Sequence, residues 1–334
     1  MSLPVIKRPH YHHLIAWMAD KPDHIVMTAD LTGSCEADGF RDTYPDRYFS
    51  MGMAEQNMIS AAGAMAREGF FPYIHTFAVF LTRRVYDQVA MSVAYPNVPV
   101  RLMGFLPGIT TPGGVTHQAI DDIALMRALP NMTVLTCADA TQVEAVMDAT
   151  EAIEGPVYIR MLRGEVVRIF PEGTAFPLDA LPILRKDKGA KILLLTEGIC
   201  TEYGITATQS ASLQDVPLIH ANVAAIKPFP EHALHNLLDG ITDIVVAENH
   251  SVIGGLGSLV CECIASHGLP IRVRRLGLQD VFAHGASRAY LAHELGFDAD
   301  GIENALCETV SRTACGGLDM RREAVHSDAK AEGL

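Results

Sequence analysis

The stretch Arg47–Met58, RYFSMGMAEQNM, carries one acid, Glu55, where a strand end gives way to a helix start. From Ala54 the run AEQNMISAAGAMAREG is strongly helix-forming, and Gly69 closes it. A carboxylate in a first helical turn is favoured by the helix dipole, which alone accounts for an acid there. The same position also offers a carboxylate to a cofactor. Phe77 and Phe80 fall at i and i+3, on one face of a helix start. Rings so spaced are more often core than a stacking platform. Thr116-His117-Gln118 follows the flexible Thr111-Pro112-Gly113-Gly114-Val115. A histidine there is suited to moving protons near neutral pH, and an exposed loop histidine is the competing reading. Asp30 ends the first strand, where acids cap helices and sometimes meet ligands. Gly254-Gly255-Leu256-Gly257 resembles a phosphate cradle but lacks the GxGxxG or Walker spacing, so it reads as a tight strand-to-helix turn.

Short apolar runs alternating with helical patterns must position these groups. HIVMTAD (24–30), FPYIHTF (71–77), VPVRLMGF (98–105), MTVLTC (132–137) and PVYIRML (156–162) read as strands. Helices are expected over 54–68, from 78 to about 94, over 119–128 and over 140–151. A second alternation has strands in AKILLLTEG (190–198), PLIHANV (217–223), DIVVAEN (243–249) and IRVRRLG (271–277), with helices beginning near Thr201, Glu231 and Gly254. The fold class is therefore α/β, with mostly parallel, helix-covered sheets. The expected division is a domain at 1–168, a Pro- and Gly-rich linker at 169–187, a domain at 188–315 and a polar, disordered tail at 316–334.

The chain has 334 residues and 49% hydrophobic content, enough for two substantial cores. A net charge of −13 without a basic block argues against a general nucleic-acid or membrane-surface binder. The seven cysteines are odd in number and show no CxxC spacing. Buried free thiols in a reducing cytosol are expected, and Cys261-x-Cys263 lacks a second pair to complete a metal site. No apolar run reaches the roughly 18 residues of a spanning helix, and no signal peptide is evident.

Together MGMAEQNM, HTFAVFLTRRVYDQV, THQAIDDIALMRALPNMTVL and YIRMLRGE resemble the pyrimidine-binding domain of transketolase. VVAENHSVIGGLGS and FAHGASRAYLAHELGF resemble the C-terminal domain of the same family. The resemblance covers about residues 5–312 and is closest to the C-terminal half of split bacterial transketolases. It implies a thiamine-diphosphate enzyme that transfers a two-carbon ketol unit between sugar phosphates. Glu55 then matches the acid that hydrogen-bonds the aminopyrimidine N1′ and promotes its imino tautomer. Phe77 and Phe80 match the stacking aromatics, and His117 a histidine that meets substrate and transferred protons. Asp30 and Ser34 match an interface acid beside the cofactor and a substrate-side serine. Arg163 matches a sugar-phosphate-binding arginine, a role suited to the guanidinium fork.

The resemblance also implies what this chain lacks. The family holds diphosphate through Mg²⁺ with a Gly-Asp-Gly motif and a later Asn, and no Gly-Asp-Gly occurs here. No metal is therefore expected in this chain. Mg²⁺ belongs with a partner subunit carrying the diphosphate-binding domain, in a homodimer or α2β2 assembly. Within the matched region Gly113 stands where the family has Asp, and Phe105 is the expected counterpart of a substrate-facing His. Loss of such hydrogen-bonding partners weakens discrimination among sugars. Two rival readings follow: the β subunit of another thiamine-diphosphate enzyme (2-oxo acid dehydrogenase E1-like or deoxyxylulose-phosphate synthase-like), or a non-catalytic subunit that keeps the fold.

Overall fold

The computed structural model describes residues 3–314. The expected 316–334 tail lies outside the described residues. Seven strands form the first sheet, in the order Ala225–Lys227, Thr133–Thr136, Val157–Met161, Arg101–Phe105, Phe71–Phe77, His24–Thr28, Tyr48–Ser50. All pair in parallel except Ala225–Lys227, which runs antiparallel to Thr133–Thr136 and comes from beyond the linker. The second sheet runs Arg272–Leu278, Asp243–Ser251, Ile192–Thr196, Leu218–Asn222, Ile183–Lys186, with only the last strand antiparallel. The central strands are buried on both faces, which is why they read as unbroken apolar runs.

The helix Glu55–Arg67 buries Glu55, Met58, Ile59, Ala62, Gly63 and Ala66, one helical stripe. Glu55 thus belongs to the covered face and not to the solvated one. A Cβ on Gly63 would come 2.2 Å from the Ser92 carbonyl oxygen, so glycine allows the close crossing with the π-helical segment Val89–Ala94. The single helix expected from 78 to 94 is broken into Ala78–Thr82, two short turns and this segment. The helix expected over 119–128 begins only at Asp122. Ala119 is instead bridged to Pro107 and Gly108, which keeps it extended.

Part of the expected linker is ordered by specific contacts. Asp139 accepts from the Ile169 and Phe170 amides at 2.8 Å each, Phe176 is buried in the first core, and Ile183–Lys186 is a strand of the second sheet. Between the sheets lies a buried ionic network. Arg160 donates to Asp122 (2.9 Å), Glu197 (2.8 Å) and the Asn249 carbonyl (2.8 Å). Tyr158 donates to Asp122, and Thr136 to Glu197. Charges so buried are tolerated only when paired and hydrogen-bonded.

Candidate active site

The predicted site residues follow successive strands of the first sheet at their C-terminal ends. Asp30 follows His24–Thr28, Glu55 follows Tyr48–Ser50, Phe77 ends Phe71–Phe77, His117 lies in the loop after Arg101–Phe105, and Arg163 follows Val157–Met161. Ligands of parallel α/β sheets bind at this edge.

Glu55, Phe77, Phe80 and His117 form one cluster, with Glu55 joined to it through Arg84. Glu55 is 4% exposed. The Phe77 and Phe80 rings stack with centroids 5.7 Å apart at 25°. The His117 ring stands edge-on to both, 5.4 Å from Phe80 and 6.2 Å from Phe77. Thr116 Oγ1 lies 2.8 Å from His117 Nδ1 and orients that ring. Arg84 joins the cluster: its guanidinium lies over the Phe80 ring at 4.0 Å and its Nη1 donates to Glu55 Oε1 at 3.1 Å. The Arg-Arg dipeptide reads as solvated surface, but the i, i+4 spacing of Phe80 and Arg84 was the available signal.

A second cluster forms around Arg163, whose Nη1 donates to the Ser34 carbonyl at 3.0 Å. Glu36, missed in the sequence, braces it. Its buried carboxylate accepts from the Gly164 amide at 2.7 Å and the Tyr11 amide at 3.3 Å. Burial pushes the Glu36 carboxyl above its ordinary value, against those hydrogen bonds and the arginines nearby. Asp30 is exposed, in the left-handed region (φ 58°), and among the described residues no ion pair joins it to either cluster.

Phe105 does not stand at an open site. It is fully buried, packed on His10 and His75 with centroids 5.4 and 5.8 Å away. The hydroxyl-reading histidine expected at its place therefore has no counterpart in this ring. Gly113 does touch the site: a Cβ there would lie 3.0 Å from His117 Cβ and Cγ. The second domain holds the loops around it. Asn249 Oδ1 accepts from the Ile109 amide and its Nδ2 donates to the Pro107 carbonyl, each at 3.0 Å, and Gln118 donates to the His284 carbonyl at 3.3 Å. Nothing in the local sequence announces these long-range braces. The glycine-rich turn is filled by the protein itself, since Leu256 and Gly257 amides donate to Glu248 at 2.6 and 3.0 Å. A Cβ on Gly255 would meet that carboxylate at 2.0 Å.

Residues 11–167 match the transketolase pyrimidine-binding domain, and residues 182–302 the transketolase C-terminal domain. A relative described as a 6-deoxy-6-sulfo-D-fructose transketolase subunit, from Clostridium sp. strain MSTE9, is 37% identical over 307 residues, covering 91% of this chain and 94% of the relative. The chain belongs to the transketolase family. One of the subunits of an apulose-4-phosphate transketolase from Actinobacillus succinogenes is 32% identical over 282 residues, 84% of this chain and 90% of that one. A solved split-gene transketolase, described as an inactive β4 tetramer, superposes with a TM-score of 0.82 at 33% identity over 91% of this chain and 97% of the other. The protein is thus a transketolase-type transferase subunit corresponding to the C-terminal half of the split enzymes, and its family depends on thiamine diphosphate.

The residues present fit the pyrimidine end of that cofactor. Arg84 carries a planar, N–H-bearing group that lies over the Phe80 ring while donating to Glu55. A flat nitrogen heterocycle needs the same pair of partners: an aromatic face and a buried acceptor.

Proposed function

We propose that this chain supplies the pyrimidine-side half of a site completed by a second subunit, and that the assembly moves a two-carbon ketol unit between sugars with an anionic terminal group. Bound thiamine diphosphate supplies the nucleophilic carbon and the electron sink. The observation that carries the reading is that buried Glu55 is linked through Arg84 to the Phe77–Phe80 stack, against which the His117 ring stands. Glu55 would hold the cofactor's aminopyrimidine ring by a hydrogen bond and share its proton, a role that requires a carboxylate shielded from water. Phe77 and Phe80 would supply the aromatic face for that ring, and Asp30 would contact the cofactor. His117 exchanges protons with substrate.

Arg163, anchored to the Ser34 backbone, binds the terminal anion, with Ser34 beside it. The sulfo- and phospho-sugars in the relatives' names support a substrate of that charge. Diphosphate and Mg²⁺ fall to the partner, since no Gly-Asp-Gly is present in this sequence. The inactive β4 neighbour supports partner dependence, and an α2β2 assembly in the cytoplasm is the form this reading takes.

The test mixes the chain with a candidate partner that has Gly-Asp-Gly and a later Asn, plus thiamine diphosphate and Mg²⁺. Ketose phosphates and sulfonates are then screened against aldose acceptors. Turnover is expected only in the mixture. Turnover of xylulose 5-phosphate by this chain alone would overturn the half-site reading.

A further inference from the structure

Two helices of the second domain carry ligand-type side chains at the same spacing. Glu231 and His235 are the first and last residues of Glu231–His235, at i and i+4. Cys263 lies in Leu256–Ser266 and is followed at i+4 by His267, the residue that caps that helix. Residues four apart share one helical face. One donor atom each from Glu231, Cys263 and His267 lies within 4.8 Å of the others. The His235 ring stands edge-on to that of His267, centroids 5.3 Å apart. His267 Nδ1 lies 2.9 Å from the Cys263 carbonyl oxygen. It must donate there, which leaves the lone pair on Nε2. Metal-bound histidines are commonly fixed through such a contact from the other nitrogen. Cys263 forms the buried floor of the cluster, and the other three residues are its exposed rim.

We propose that Glu231, Cys263 and His267 bind a divalent cation of the zinc class, with water as the fourth ligand and the His235 ring packed against His267. Thiolate and imidazole favour zinc over magnesium or calcium. Bonds of about 2.0–2.3 Å in a tetrahedral site space the donors about 3.3–3.8 Å apart. Donors already within 4.8 Å of one another reach that spacing by side-chain movements of no more than about 1.5 Å. As the metal–sulfur bond forms, the Cys263 thiol proton passes to buffer. The ion would tie the two helices together, apart from the thiamine chemistry. Cys261, two residues away, points to another face, which is why the Cys-x-Cys pair misleads as a motif. The other group of metal-type side chains, His293, Asp298 and Asp300, is already engaged. His293 Nδ1 pairs with Asp298 at 2.8 Å, and Asp298 caps the Gly301 amide at 2.9 Å.

The test titrates the full-length, chelator-treated chain with Co²⁺ and then Zn²⁺. One equivalent of Co²⁺ should give thiolate-to-cobalt charge-transfer absorption, which Zn²⁺ abolishes and Cys263→Ser lacks. Zn²⁺ should raise the melting temperature of the wild type and not of Cys263→Ser. His267→Ala should weaken affinity at least tenfold, and Glu231→Gln should weaken it less. Both residues are exposed, so these variants keep the test decisive even if Cys263→Ser fails to fold. The proposal is overturned if the band is absent, if it persists in Cys263→Ser, or if His267→Ala binds as tightly as the wild type.

Discussion

Arg84 reaches Glu55 at 3.1 Å while its guanidinium lies over the Phe80 ring, so one side chain engages both the acid and an aromatic of the candidate cofactor site. A ring entering between the same partners must displace it. The pair is weak enough for that, because half of the Arg84 side chain is exposed and water screens it. Arg84→Ala should cost no more than about 1 kcal/mol of stability. It should also lower the concentration of thiamine diphosphate needed for half-maximal activity of the assembled enzyme. A raised requirement would instead make Arg84 a cofactor ligand.

Glu55→Gln tests the proton role directly. With the partner present, activity should fall about 10²–10⁴-fold, the usual contribution of a positioned acid–base group. Assembly, followed by size-exclusion chromatography, should persist. Near-normal turnover would remove the assigned role.

Arg163→Ala separates anion binding from chemistry. The apparent KM for phosphorylated or sulfonated ketoses should rise more than that for uncharged ones, with kcat less affected. Equal effects on both classes would exclude Arg163 from the terminal-anion site.

Arg160→Ala addresses the clasp between the sheets. It strands Asp122 and Glu197, both fully buried, without their cation. The expected loss is about 3–5 kcal/mol, read from urea denaturation. A loss below about 1 kcal/mol would mean that the network tolerates water.

Stability should fall on both sides of a mildly acidic optimum. Burial lowers His75 to about 4 and His220 to about 3, so the unfolded chain takes up protons first as pH falls below 6.5. Those two histidines therefore lose stability as pH drops from 6.5 toward 4 and below. Burial raises Glu248 to about 8 from its ordinary 4.5, so here the folded chain holds the extra proton. Its contribution is lost as pH rises from 4.5 through 8. Between pH 6.5 and 8 the Glu248 effect acts without the histidines, and Glu248→Gln should flatten that limb of urea midpoints. An unchanged slope would sink this assignment.

Most of the frame was legible because it follows from local pattern. Helix-forming residues closed by Gly69 gave Glu55–Arg67 to within a residue at each end. The buried strand Phe71–Phe77 was readable from its apolar run. The supports of the site were not legible, because they depend on partners far away in sequence. Asn249 holds Pro107 across 142 positions, and Arg160 meets Asn249 across 89. Phe105 misled for another reason: the resemblance matched it to a substrate-facing histidine, but the buried His10 and His75 rings draw it into the core. The break after Thr82 was also hidden, since the residues there are acceptable helix formers and the packing against Glu55–Arg67 reshapes them.

The strand Ala225–Lys227 crosses from one domain to the rim of the other's sheet. Without it, the backbone of Thr133–Thr136 would offer a bare row of donors and acceptors to any neighbouring chain, the template from which aggregates grow. The two lobes are consequently not interchangeable modules. An exchange with a related enzyme that cuts between them would have to carry this strand along, or unmask an adhesive edge.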